Sequence, residues 1–373
     1  MKPRPSSLLL PAVLVAASAC GPEATPPEAA EASFAVGGDV SFLPQIEDHG
    51  GVYADATGPR DLLALLEDHG FNAIRLKLWH TPAEPYNDLA HVLAMARRID
   101  AAGMTFLLDI HYSDGWADPQ KQIKPAAWEG LAFEALADSV YAYTRDVVRA
   151  LAAQGTPPGM VQIGNEIRPG LLWPDGRVDG EWDTPEQWDN LVALLRAGRR
   201  GALDGSPAAP PAILVHFDDG AKNDLCRHFF DRLSERGMEY DAIGLSFYPK
   251  WHGTLEQLRF NLADLSARYD KDVYVVETAY PWTFEWKDDA GNIMGTVADL
   301  HAGYPPTVEG QSAFLRAVHE TVRGVPGGRG KGIYYWAPEW IAVEGVPSAW
   351  ENTTLFDFDG KALPSLDVFA GRW

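Results

Sequence analysis

Two glutamates close apolar, β-branched runs in this chain. Val273-Tyr274-Val275-Val276-Glu277-Thr278-Ala279-Tyr280 carries a carboxylate and an aromatic just before Pro281, and Met160-Val161-Gln162-Ile163-Gly164-Asn165-Glu166-Ile167 carries an amide followed by an acid. Each run reads as a buried parallel strand. An unpaired carboxylate inside such a strand is expensive. At the carboxyl end of a barrel strand it stands where (β/α)8 active sites are built. Two carboxyls facing each other across a barrel mouth, one protonated and one ionised, can hydrolyse a glycosidic bond. A separation of about 5–5.5 Å corresponds to retention at the anomeric carbon. Mutual repulsion and unequal surroundings drive their pKa values apart. On this reading Glu166 is the general acid/base and Glu277 the nucleophile, with the Asn165 amide placed to hold a sugar hydroxyl. Two separately salt-bridged glutamates are the plainer alternative.

The elements that must position this pair follow from periodicity. Strand-like runs occupy residues 33–40, 73–79, 105–112, 161–166, 212–217, 242–249, 273–280 and 332–336. Helical spacing occupies residues 59–69, 88–102, 132–154, 184–203, 224–236, 254–269 and 311–323. Gly70 and Gly103 close two of these helices, and Thr184-Pro185-Glu186-Gln187 opens another. Eight strands alternating with helices predict an α/β fold, a single (β/α)8 TIM barrel with long βα loops over residues 33–373. An open doubly wound sheet is disfavoured, because no Gly-rich phosphate turn follows an early strand.

Composition narrows the partners. The net charge is −21, with 52 acidic residues against 31 basic. That argues against nucleic acid and anionic membrane surfaces as partners and is compatible with a neutral polysaccharide. The aromatic load is heavy: 13 Trp, 13 Tyr and 15 Phe. Many indoles, among them Trp79, Trp116, Trp128, Trp173, Trp251, Trp282, Trp286, Trp336, Trp340 and Trp350, fall at strand ends or in Gly/Pro-rich stretches after them. They read as platforms for flat, polar-edged ligands such as sugars, with core packing as the alternative.

Residues 1–19 have the form of an export signal: basic Lys2 and Arg4, a short apolar run from Leu8 to Ala16, then Ala17-Ser18-Ala19-Cys20. The segment resembles a bacterial lipoprotein signal, with Cys20 as the lipid attachment site, although Ala17 stands where Leu is usual. Ordinary secretory cleavage nearby is the alternative. Residues 20–32, rich in Pro, Glu and Ala, read as a disordered tether. The expected location is outside the cytoplasm, as an outer-membrane lipoprotein facing the cell surface or periplasm of a Gram-negative bacterium. Cys226, the second of two cysteines, lies in a helical stretch and reads as a small core residue.

Several segments together resemble the glycoside hydrolase family 53 endo-β-1,4-galactanases. They are Gly38-Asp39-Val40-Ser41-Phe42-Leu43-Pro44, Arg75-Leu76-Lys77-Leu78-Trp79, the run from Asp109 to Pro119, Gln162-Ile163-Gly164-Asn165-Glu166-Ile167, the run from Ser246 to Leu255, and Val276-Glu277-Thr278-Ala279-Tyr280-Pro281. The resemblance runs from about Ala35 to the C-terminus. It implies endo-hydrolysis of the β-1,4-galactan side chains of pectin (type I arabinogalactan) into galacto-oligosaccharides, with the acid/base on strand four and the nucleophile on strand seven. It further implies Arg75 beneath the nucleophile, His111 and Tyr248 lining the cleavage subsite, and Tyr248 donating toward Glu277. Asp114, Trp116 and Asp118 resemble glycone-side residues, and Trp336 a stacking floor. Asp39, Asn165, Trp251 and His252 complete the expected substrate-binding set.

Some bacterial members of that family hold calcium in the loop after strand seven, through closely spaced Asp, His and Asn. Here the loop offers Asp288, Asp289 and Asn292, lacks His and carries Lys287. Calcium needs six to eight oxygens, so a solvated acidic turn is the expected reading and no cofactor is required. A monomer is expected. The rival functions are a retaining barrel glycanase acting on mannan, xylan or glucan, and a surface glycan-binding protein without turnover.

Overall fold

The computed structural model of the chain describes Met1 and residues 34–370. The signal segment, Cys20 and the tether over residues 20–32 lie outside the described residues, as does Ser33 at the head of the first expected strand. Every element below belongs to the unit Ser33–Trp373.

Eight parallel strands close into a barrel: β1 Ala35–Asp39, β2 Ala73–Leu78, β3 Thr105–Ile110, β4 Met160–Ile163, β5 Ala212–Phe217, β6 Ala242–Ser246, β7 Asp272–Thr278 and β8 Gly330–Trp336. Each pairs with its neighbours in sequence, and β1 closes the ring against both β2 and β8. The helices are α1 Leu43–Asp48, α2 Leu62–Asp68, α3 Leu89–Ala101, α4 Phe133–Ala153, α5 Pro185–Gly205, α6 Asn223–Glu235, α7 Pro249–His252, α8 Leu255–Tyr269 and α9 Val308–Arg323. The predicted (β/α)8 architecture is the observed one.

Local chemistry explains the boundaries. The Asp61 side chain accepts the Ala64 N–H and starts α2. Expecting a helix from residue 59 was therefore wrong: Gly58–Arg60 pairs instead with Tyr53–Asp55 as a short hairpin. Thr254 and Gln257 form a reciprocal capping box at α8. On α4, Leu136, Val140, Val147, Val148 and Leu151 form one buried stripe, the 3.6-residue period made physical. Helix α5 lies close against it, since a Cβ on Gly201 would stand 2.5 Å from the Tyr141 carbonyl oxygen.

The barrel interior changes character along its axis. Ala73, Leu107, Leu214, Ala242, Val276 and Tyr334 fill its lower part. Two residues further along β2 and β3 the inward positions become Arg75 and Asp109, both fully buried. On β7 the ladder slips. Leu245 pairs with Val275 but Ser246 pairs with Glu277, so one step on β6 matches two on β7. This bulge turns Glu277 inward directly after the inward Val276, where strict alternation sends it to the helix side.

Strands β4 and β6 end earlier than sequence reading places them. Beyond Ile163 the chain turns through Gly164 at φ +81°. A Cβ there would meet Ile167 at 2.7 Å and Leu171 at 2.9 Å, so only glycine fits. Beyond Ser246 the chain leaves the sheet, and Pro249 opens α7.

Candidate active site

Arg75 is the hub. It is wholly buried, and its guanidinium pairs with Asp39 at 2.8 Å, Asp109 at 2.9 Å and Glu277 at 2.9 Å. It also donates to Asn165 Oδ1 at 2.9 Å. A buried charge persists only when its field and its donors are matched, and here three carboxylates surround one cation. The contact with Glu277 Oε1 is a close ion pair rather than an aligned hydrogen bond. Tyr248 donates its hydroxyl to Glu277 Oε2 at 3.2 Å.

Glu166 has different company. It sits three residues past β4 in the left-handed region, at φ +49°, a conformation that costs a non-glycine residue energy. Its backbone N–H reaches His216 Nδ1 at 3.3 Å, and Ser246 donates to its Oε1 at 2.7 Å. His216 Nε2 lies 2.9 Å from the Ser246 oxygen. With the Ser246 proton committed to Glu166, His216 must donate through Nε2 and accept through Nδ1.

These surroundings separate the two acids. Burial pushes Glu277 up to about 7, with Arg75 and the Tyr248 hydrogen bond pulling it down and Asp109 and Asp39 pushing it up. Burial, the Glu277 charge and the Asp218 charge push Glu166 well above the carboxylate range, and the Ser246 hydrogen bond only partly opposes them. The proton therefore rests on Glu166 and the charge on Glu277. An acid and an ionised carboxylate on one cleft are the pair required for displacement at an acetal carbon.

Both open onto a cleft of about 600 Å³ at the carboxyl end of the barrel. Trp116, Trp251, Trp336, Trp340 and Trp350 line it, with Asn165, Asp118, Arg168, Asp218, Asp219, Tyr248 and His252. The indole nitrogens of Trp336 and Trp340 are buried without a protein acceptor.

The expected site residues divide into two groups. Glu166, Glu277, Asn165, Trp116, Asp118, Tyr248, Trp251, His252 and Trp336 all line the cleft. Asn165 spends its oxygen on Arg75 and one amide proton on the Ala117 carbonyl, which leaves one proton for a ligand. Asp39, Arg75, His111 and Asp114 do not line it. Asp39 and Arg75 are buried against each other beneath the pair. His111 is 2% exposed: Nε2 meets Asp109 at 3.0 Å, and Nδ1 accepts from Trp79 and the Ala117 N–H. Both ring nitrogens are engaged by the protein, and His111 braces the wall. Asp114 accepts the N–H groups of Thr81 and Ala126 and ties two loops together.

Sequence reading passed over Ser246, His216, Asp109, Trp340 and Trp350 as site residues. For the first three a signal was present. Each is a polar residue at or near the end of an apolar strand run, the feature that singled out the glutamates. For Trp340 and Trp350 the loop position was noted, but nothing local tells which loop indoles turn toward the cleft. Cys226 is free and buried, as expected.

In the loop after β7 the calcium candidates Asp288 and Asn292 make hydrogen bonds within the protein. Asp288 accepts the Ala290 N–H through one carboxylate oxygen and the Ser348 N–H through the other. Asn292 donates to the Glu285 carbonyl. Among the described residues no group of three or more His, Cys, Asp or Glu is placed to hold a metal ion.

Residues 35–369 match the family model for glycosyl hydrolase family 53. A protein of Niallia circulans described as uncharacterised, in the bgaB 5' region, is 48% identical over 345 residues, covering 91% of this chain and 94% of its own. The arabinogalactan endo-β-1,4-galactanase of Cellvibrio japonicus is 35% identical over 350 residues, covering 90% of each chain. Among solved structures, the family 53 catalytic domain of Ignisphaera aggregans superimposes with a TM-score of 0.85 at 38% identity, covering 92% of this chain and 98% of that one.

Proposed function

Because this chain belongs to glycosyl hydrolase family 53, we propose that it is an endo-acting enzyme that cleaves β-1,4-galactosidic bonds in pectic galactan with retention and releases galacto-oligosaccharides. That it is a glycoside hydrolase follows from the family and from its galactanase relatives. The choice of galactan rests on those relatives, together with a cleft walled by indoles and the low charge such a polymer carries.

One observation carries the mechanism: Arg75 contacts Glu277, whereas Glu166 receives only a neutral hydroxyl, from Ser246. In the first step the Glu277 carboxylate attacks the anomeric carbon. The bond to the leaving oxygen breaks as Glu166 gives that oxygen its proton. In the second step Glu166, now a carboxylate, takes a proton from water, and the oxygen of that water displaces Glu277. Two inversions give net retention. Tyr248 holds the nucleophile oxygen that Arg75 leaves free.

The test is reducing-sugar release from linear β-1,4-galactan beside mannan, xylan and a β-glucan, with the anomer of the first product followed by proton NMR. Short β-anomeric products from galactan alone support the reading. Activity on another polymer, or an α-anomer first, overturns the substrate or the stereochemistry respectively.

The same reading places a monomer at the outer membrane, held by lipid on Cys20 through residues 20–32. The export-like segment ending at Cys20 supports this. Fatty-acid labelling in cells tests it: label lost in Cys20→Ser is expected, and an unlabelled native chain removes the anchor.

A further inference from the structure

Lys77 lies on β2 two residues beyond Arg75, on the same inward face. It is 1% exposed, and its ammonium nitrogen has no hydrogen-bond partner. An ammonium so placed is costly unless something replaces water. Here four rings do. Its nitrogen stands 3.5 Å from the ring centre of Phe42, 4.8 Å from Trp116, and 5.7 Å from both Trp79 and Trp336. The negative faces of aromatic rings attract a cation and orient around it.

Those rings lead directly to the cleft. Trp116 and Trp336 line it. Phe42 stacks on a third lining residue, Trp340, with 3.6 Å between ring centres. Three of the five cleft indoles are thus seated on one ammonium, two directly and one through Phe42. We propose that Lys77 is a positioning residue: its unpartnered ammonium, enclosed by Phe42, Trp79, Trp116 and Trp336, holds the indole floor of the cleft in the arrangement that binds sugar. The sugar-binding part rests on the function proposed above.

The charges facing Lys77 come from four elements. Asp39 on β1, Glu339 just past β8 and Asp109 on β3 favour the ammonium, while Arg75 on its own strand opposes it. Burial outweighs them and brings Lys77 down to about 8. The cation that seats the indoles is therefore lost in mildly alkaline solution.

The experiment has two arms, both on the full chain. In the first, tryptophan fluorescence of the sugar-free protein is followed from about pH 6 to pH 10. A step near pH 8 is expected in the wild type. It should vanish in Lys77→Arg, which stays charged. It should persist in Glu339→Gln, which removes the neighbouring carboxyl that changes charge in the same range and leaves Lys77 to titrate. In the second arm, Lys77→Met should raise KM for β-1,4-galactan about fivefold, with a far smaller change in kcat, and Lys77→Arg should recover most of the loss. A flat wild-type fluorescence titration overturns the proposal. So does a folded Lys77→Met with unchanged KM, or one whose loss lies in kcat alone. If the wild type does not cleave galactan, the substrate reading fails and the fluorescence arm still decides the role of Lys77.

Discussion

Arg75 Nη2 lies 2.9 Å from Glu277 Oε1, while the Glu166 carboxylate takes its hydrogen bond from the neutral hydroxyl of Ser246. The Arg75–Glu277 contact makes two chemically identical side chains unequal. It favours the ionised form of one and leaves the proton on the other.

Arg75→Met should therefore do two things. Glu277 loses its cation and its pKa rises, so the acid limb of the kcat/KM profile, where activity requires an ionised Glu277, moves to higher pH. Asp39 and Asp109 lose theirs as well, and leaving buried carboxylates unpaired costs roughly 3–5 kcal/mol. Urea unfolding and a pH–rate profile measure the two effects. An unchanged midpoint of unfolding would exclude the hub role.

Glu277→Gln should lower kcat by roughly 10⁴–10⁶-fold, because the proposed nucleophile is gone. Glu166→Gln should lower it by about 10²–10⁴-fold. The Glu166→Gln loss should shrink on an aryl galactoside whose leaving group needs no proton, whereas the Glu277→Gln loss should not. Circular dichroism of both variants should match the wild type. Equal losses on both substrates would remove the distinct roles.

Ser246→Ala takes away the hydrogen bond that pulls the Glu166 pKa down. In the proposed mechanism activity needs Glu166 protonated and falls as pH rises through its pKa. The alkaline limb should thus move to higher pH. The variant also leaves His216 Nε2 without its acceptor and should lose about 1 kcal/mol of stability. A limb that stays in place would mean that Ser246 does not govern the acid.

Glu339 is buried, with Oε1 accepting the Phe42 N–H and Oε2 unpartnered. Burial pushes its carboxyl up to about 8. The folded state therefore holds this proton more tightly than the unfolded chain does. The stability it confers is complete below the ordinary Glu pKa and drains away as pH rises to about 8. Glu339→Gln mimics the protonated acid and has no such drain. Its melting temperature relative to wild type should climb between about pH 5 and pH 8. A difference constant with pH would contradict a protonated Glu339.

Gly164→Ala places a Cβ within 2.7 Å of Ile167 at a positive φ. It should cost about 1–3 kcal/mol and reduce kcat, since Glu166 hangs two residues further on. Thermal unfolding and turnover should fall together; full activity in a destabilised variant would uncouple the turn from the acid.

The local physics of the chain determined the barrel and the glutamate pair before any coordinates. Runs such as residues 212–217 read as buried strands, and stripes such as that on α4 as helices packed on one side. A carboxylate ending an apolar run stands out because nothing else there is polar. Tertiary structure alone decided which face Glu277 occupies, because that depends on a bulge in its pairing with β6, and pairing register is a property of two strands. It alone decided that His111 and Asp39 spend their polar atoms inside the wall and that Asp114 ties loops. Their long-range partners, Arg75 for Asp39, Trp79 for His111 and Thr81 for Asp114, meet them only once the chain has folded. The left-handed backbone of Glu166 and the ring of aromatics around Lys77 belong to the same class. Each results from packing between segments far apart in sequence, and no local pattern encodes which of many polar and aromatic residues will be brought together.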